Sequence, residues 1–362
     1  MLSPRPAIST LPSYHPPLAG RNGLRLDFNE NTAGCSPRVL ERLRHLTVED
    51  LARYPEREPI EAKVADFLEI RPSQMLLTNG VDEAIHLLCQ TYLAPGDEAL
   101  IVVPTYSMYR IYMMAAGAQV VIVAAGKDFQ FSAEDLTRRI TPRTRLIAIA
   151  NPNNPTGTVV QPEELLQIAR FAPDAALLVD EAYFEFYGHT MMPRCDELPN
   201  LFVARTFSKA YGMAGLRVGA LVGYEDQMRA VRRVCSPYNV NAVALACLPA
   251  VLADQSFIEL YVREVVQSRA RVESTLADSG IQFWTSQANF ILLRVGSDRA
   301  ASAAFVAKMR ERDILVRDRS SDPGCEGCVR ITLGLHEHTE RLLTALPEVL
   351  KDDCIPKGAS VR

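Results

Sequence analysis

The 362-residue chain has no apolar stretch long enough to cross a bilayer. Its longest apolar runs, such as 120–125, fall far short of the roughly 20 residues a spanning helix needs. The proline-rich start (Pro4, Pro6, Pro12, Pro16, Pro17) carries no signal-peptide core, so a cytoplasmic protein is expected. Charge of neither sign dominates: 39 basic against 43 acidic side chains leave a net charge of -4. That gives no reason to expect nucleic acid or an anionic membrane as a partner. The GxGxxG turn of dinucleotide binders is missing, which counts against a dehydrogenase. Of the eight cysteines only Cys325 and Cys328 are spaced like ligands, without a second pair or nearby histidines. A turn with two incidental thiols is expected there, and neither a metal nor a disulfide. Internal repeats and low-complexity tracts are also lacking.

What is present is an ordinary globular balance, 48% apolar and 23% charged, over a length that suggests more than one core. From Met75 to Gly223 short apolar runs alternate with helical patterns. Strands are predicted over 75–78, 99–103, 119–123, 146–150, 176–179, 201–204 and 218–222, with helices over 81–93, 106–116 and 162–171. Pro162 at a first helical position, followed by Glu163 and Glu164, suits a helix N-terminus. Buried strands separated by helices predict an α/β fold whose large domain is a mostly parallel sheet flanked by helices. After about residue 236 the pattern changes. A long amphipathic helix over 257–278, strands over 281–285, 289–295, 314–317 and 329–333, and helices over 301–312 and 337–351 predict a smaller α+β domain. The expected division is an N-terminal segment 1–45 packing on the rest, a large domain 46–240, a small C-terminal domain 241–351 and a frayed tail 352–362.

In an open α/β sheet, ligands bind beyond the carboxyl ends of the strands, and the unusual polar residues fall there. Thr78-Asn79-Gly80-Val81-Asp82-Glu83 links a strand to a helix, where backbone amides can face a phosphate. Alone it reads equally as a capped turn. Asn151-Pro152-Asn153-Asn154-Pro155-Thr156-Gly157 is longer than a loop break requires, and its asparagines can reach a ligand. Asp180 ends an apolar strand, a costly place for a carboxylate unless a cation meets it. By itself it could be a helix cap. Arg205-Thr206-Phe207-Ser208-Lys209 follows a further strand, with Arg217 close behind. A desolvated Lys209 would be a nucleophile for carbonyl groups; most lysines are surface residues. Ser208 and Arg217 could hold a phosphate. Together these residues suit pyridoxal phosphate, with Lys209 as its imine partner and Asp180 keeping its ring nitrogen protonated.

At this point the sequence resembles the fold-type I aminotransferases over nearly its whole length, from about Tyr14 to Leu350, and most of all those acting on histidinol phosphate. Leu26-Asp27-Phe28-Asn29-Glu30-Asn31 resembles the N-terminal motif of that family, with Phe28 in place of a usual alanine. The resemblance implies that Tyr54 reaches the cofactor phosphate of the neighbouring subunit and that Tyr106 stacks on the pyridine ring. It implies that Asn154 and Tyr183 bond the phenolic oxygen, and that Val81, Asp82, Ser208, Lys209 and Arg217 belong to the cofactor site. It also implies a homodimer.

Substrate residues implied by the resemblance are Tyr14, Asn29, Tyr238, Arg317 and Arg330. A phosphate dianion is better matched by two guanidinium groups than by one, and Arg317 would supply the second. Its alternative is a surface pair with Asp318 or Asp313. The expected reaction converts histidinol phosphate and 2-oxoglutarate to imidazole acetol phosphate and glutamate. An aromatic amino-acid aminotransferase and a threonine-phosphate decarboxylase remain alternatives. A regulatory module is a third, though no basic stretch or helix-turn-helix accompanies it.

Overall fold

Seven short apolar segments between residues 75 and 223 pair into one sheet. The computed structural model describes residues 2–9, 11 and 20–351; Tyr14 and the tail 352–362 lie outside the described residues. After a two-residue strand at Leu24–Arg25 (β1), the sheet is built from Met75–Thr78 (β2), Glu98–Val103 (β3), Gln119–Ala124 (β4), Thr144–Ala150 (β5), Ala176–Asp180 (β6), Leu201–Thr206 (β7) and Gly219–Gly223 (β8). Their order is β2-β8-β7-β6-β5-β3-β4, and only β8 runs against its neighbours. β2, β6, β7 and β8 are buried throughout, as continuous apolar strands must be when helices cover both faces. One face packs into a cluster with Leu77, Ile147, Val179 and Val203, the other into a cluster with Leu76, Ala148, Leu178 and Phe202. These residues alternate along the strands, as a two-residue side-chain period requires. Each fully buried Leu or Val contributes about 1.5–3 kcal/mol. β4 is the edge, with Ile122 44% exposed.

A second sheet is antiparallel: Phe283–Trp284 (β9), Phe290–Arg294 (β10), Ile314–Leu315 (β11), Arg317–Asp318 (β12) and Cys328–Thr332 (β13) supply its strands, in the order β12-β13-β10-β9, while β11 stands apart. The expected single strand over 314–317 is therefore two. Ile314 and Leu315 pair in parallel with β1, and Arg317 and Asp318 pair with β13. The break at Val316 lets one segment bury Leu24 on one side and join the small sheet on the other. This also shows how the N-terminal segment is anchored: Leu26 donates to Leu315 and accepts from Thr332 through the backbone. The helix Gln255–Asp278 buries Ile258, Tyr261, Val265, Val272 and Leu276, one stripe at three- to four-residue spacing. Side-chain caps at Ser36, Thr47, Asn241 and Asp298 start four helices, and at Pro162–Phe171 Glu164 accepts from the Gln161 amide. No single helix among the described residues is long and apolar enough to cross a membrane.

Candidate active site

In the large sheet β4 lies on one side of β3 and β5, β6 and β7 on the other. The direction of chain progress reverses between β3 and β5, and the loops leaving their carboxyl ends must diverge. A cavity of about 560 Å³ opens there. It gathers Val81, Asp82, Tyr106, Asn154, Asp180 and Tyr183 from the large-sheet loops. Ser208, Lys209 and Arg217 line the same space, with Asn29 from the N-terminal segment and Arg317 and Arg330 from the small sheet.

One end is a cradle at the start of the helix Gly80–Tyr92. Asn79 makes no side-chain cap there, which leaves amides at a positive helix end. Gly80 has φ +77°, a conformation that favours glycine, and a Cβ on it would sit 2.5 Å from the Arg217 guanidinium and push it aside. Arg217, itself at φ 53°, donates to Ser208 Oγ at 3.3 Å and to Asp82 Oδ2 at 3.2 Å. Asp82 Oδ1 accepts from the Tyr106 hydroxyl at 2.7 Å. The Asp82 side chain thus ties the guanidinium to the ring. A hydroxyl, a guanidinium and an uncapped helix N-terminus form a donor set for a phosphate.

Asp180 sits at the end of β6, 5% exposed. Its carboxylate accepts from the Tyr109 hydroxyl at 2.5 Å and from the Ala182 amide at 3.0 Å. Burial pushes its pKa up to about 6, against those two hydrogen bonds. It has no lysine or arginine partner among the described residues. Glu181, one residue on, shows the contrast: it is buried too but bonded to Arg205 at 2.8 Å. A buried carboxylate without a cation calls for one on a ligand.

Lys209 projects into the same space and donates to the Phe28 carbonyl at 3.0 Å. Burial, then the nearby Arg330, lowers its pKa to about 8. Such an amine is deprotonated in a useful fraction near neutrality. Tyr183 accepts at its hydroxyl from Asn29 Nδ2 at 2.9 Å. The cavity thus offers a phosphate cradle, an aromatic wall, a nucleophilic amine and a carboxylate without a cation, which is a set that fits pyridoxal phosphate.

The opposite end is cationic. Arg330 is 5% exposed and donates to Asn154 Oδ1 at 2.5 Å and to the Asp27 carbonyl at 2.8 Å, while its Nε has no partner. Burial, reinforced by Arg319, lowers its pKa to about 9. Arg317 pairs across the strands with Arg330 and lies 5.2 Å from the Phe28 ring centroid, with Arg21 at 4.3 Å. The surface pair of Arg317 with Asp318 does not form. Asp318 is taken by Ser302 Oγ and by the amide and hydroxyl of Ser320.

A profile of class I and II aminotransferases matches residues 21–346. The chain is 37% identical over 331 residues to the histidinol-phosphate aminotransferase of Roseobacter denitrificans, covering 89% of this chain and 90% of that one. The chain belongs to the class I and II aminotransferase family. It is also 35% identical to the histidinol-phosphate aminotransferase of a Geobacillus species, over 91% of this chain and 90% of that one. The crystal structure of histidinol-phosphate aminotransferase from Sinorhizobium meliloti, in complex with pyridoxal-5'-phosphate, superposes with a TM-score of 0.88 at 26% identity, covering 96% and 97% of the two chains.

Two aromatic residues singled out from the sequence stand apart from the cavity of this aminotransferase. Tyr54 and Tyr238 stack on each other with centroids 4.2 Å apart, and are 78% and 54% exposed. Sequence reading missed Tyr109 and Arg319. Tyr109 follows Tyr106 by three positions, one helical turn, which was a readable signal. Arg319 follows Arg317 by two, the spacing of an extended segment that keeps one face, although β12 itself ends at Asp318.

Proposed function

We propose that the chain is a pyridoxal-phosphate-dependent histidinol-phosphate transaminase with glutamate and 2-oxoglutarate as its second couple. The observation that carries this reading is the combination of Asp180, buried without a cation at one end of the cavity, with converging arginines at the other. The first calls for a cationic ring and the second for an anionic tail. Pyridoxal phosphate, when bound, supplies an aldehyde for an amine and a ring that stabilises negative charge at substrate Cα. Gly80, Val81 and Asp82 at the helix start, with Ser208 and Arg217, would hold its phosphate. Asp180 would keep the ring nitrogen protonated, Asn154 and Tyr183 would serve the phenolic oxygen, and Tyr106 would cover the ring face. Lys209 would hold the cofactor's aldehyde and, once freed by the substrate, would move the proton at substrate Cα, a role suited to an amine poised near pH 8. Arg317 and Arg330 bind the substrate's anionic group, with Asn29 beside them.

The site would be completed in a homodimer. Leu51, Tyr54, Val234 and Tyr238 are exposed, and the Tyr54–Tyr238 stack joins the two segments that carry them. Such a patch supports burial against a second copy, from which Tyr54 would reach the partner's cofactor phosphate and Tyr238 its substrate. A division into large (46–240) and small (241–351) domains belongs to the same proposal, and so does a cytoplasmic location.

The test is a set of half-reaction rates for histidinol phosphate, phenylalanine and threonine phosphate on one preparation. Histidinol phosphate should have the highest kcat/KM, with a keto product. Equal rates on phenylalanine would move the assignment to an aromatic aminotransferase, and carbon dioxide release from threonine phosphate would move it to a lyase.

A further inference from the structure

The cationic end of the cavity holds three guanidinium groups rather than two. Arg317 lies opposite Arg330 on β13, and Arg319, one position past the end of β12 with its amide on the Cys328 carbonyl, lines the same cavity. The acidic neighbours are almost all engaged elsewhere. Asp318 is held by Ser302 and Ser320. The Asp27 and Glu30 carboxylates pair with Arg21, and Glu30 also with Arg25. The exception is Asp322. A turn closed by its amide donating to the Arg319 carbonyl at 2.9 Å brings its carboxylate onto the Arg319 guanidinium. Three cations and one carboxylate leave a surplus of two positive charges. The Nε groups of Arg319 and Arg330 are both buried without an acceptor. Buried donors without partners are costly, and a multiply charged anion is what would satisfy them.

Resting on the histidinol-phosphate reading, we infer that Arg319 is a third, switchable guanidinium of the substrate anion site, held by Asp322 until a phosphate dianion arrives. A phosphate ester presents two negative charges and three acceptor oxygens, enough to draw Arg319 off Asp322. The glutamate couple brings its two charges on two separate carboxylates, each matched by one guanidinium, Arg317 or Arg330, so Arg319 stays on Asp322. One site thereby accepts two unlike substrates in alternate halves of the cycle without leaving an unpaired arginine in either.

The experiment uses the holoenzyme as wild type, R319Q and D322N. It measures half-reaction kcat/KM for histidinol phosphate and for glutamate, and calorimetric Kd for inorganic phosphate. R319Q should lower kcat/KM for the phosphate ester by roughly 10- to 100-fold, the range for one charged hydrogen-bonding group, and that for glutamate by less than about fivefold. It should weaken inorganic phosphate in parallel. D322N frees Arg319 and should tighten inorganic phosphate by severalfold. Equal losses on both substrates in R319Q, or phosphate binding weakened by D322N, would overturn the inference and leave the Arg319–Asp322 pair as a loop anchor. If wild type fails to turn over histidinol phosphate, the functional reading falls, and the phosphate titrations still decide the role of Arg319.

Discussion

The two ends of the cavity solve opposite electrostatic problems. At the end formed by the large sheet, a carboxylate is buried with a tyrosine hydroxyl and an amide but no cation. At the end formed by the small sheet, guanidinium groups converge with too few carboxylates. Each imbalance is expensive in an empty site and is relieved only by a ligand of matching charge. The comparison teaches that site residues differ from structural ones less by type than by whether the protein completes their pairing. Glu181 meets the cation Arg205, whereas among the described residues Asp180 meets no cation and Arg330 no carboxylate.

The strongest test of the first end is Lys209→Ala. It should lower turnover by about 1,000-fold or more, consistent with the range for a lost general base combined with a lost covalent anchor. Far-UV circular dichroism should be unchanged. A variant keeping wild-type turnover would mean that the amine has no part in the chemistry.

Next in size, Arg317→Ala probes the second end. It should cost roughly 10- to 100-fold in kcat/KM on histidinol phosphate, about the 1.5–3 kcal/mol of a charged hydrogen bond, and much less on phenylalanine. Similar losses on both substrates would show that Arg317 supports the loop rather than the phosphate.

A stability measurement sharpens the contrast. Asp180 carries a folded pKa pushed up to about 6 from its ordinary 3.8. Between those values the folded protein holds a proton that the unfolded chain has released, so stability falls as pH rises through that window. Above pH 6 the cost is fully present, of order 1–3 kcal/mol. Cofactor-free Asp180→Asn should therefore resist urea better than wild type at pH 8, with the gain shrinking at pH 4.5. A pH-independent difference would break the link to ionisation. Lys209 is shifted from 10.5 to about 8. In that window the unfolded chain binds more protons, and stability rises with pH instead.

The smallest effect is expected for Tyr109→Phe. Its hydroxyl favours the ionised form of Asp180, so its loss should move the acidic limb of the kcat/KM profile upward by about a pH unit or less. An unmoved limb would show that Tyr109 only packs.

Most residues proposed for the cofactor end were brought into one cavity, and they were readable because they lie at strand ends, where local sequence is decisive. A strand that stops at Asp180 or a loop that carries Lys209 reports its own position. The substrate end was less so. Arg319 was passed over because its importance depends on a turn that seats Asp322 against it, and on Asp318 being occupied by Ser302 from a separate helix. Similarly, Tyr109 is fully buried and looks like ordinary core until Asp180 is placed at its hydroxyl. The split of the 314–318 segment between two sheets needed the partner strand from residues 24–25.

By itself, the amino-acid order determined the alternation of buried strands with helices, the family resemblance and the choice of Lys209 as the proposed reactive amine, since these depend on near neighbours and their periodicity. Tertiary structure alone decided which charges find partners. Pairing depends on distances between segments up to some 300 residues apart, such as Arg330 with the Asp27 carbonyl, and only folding brings such groups to the same few ångströms.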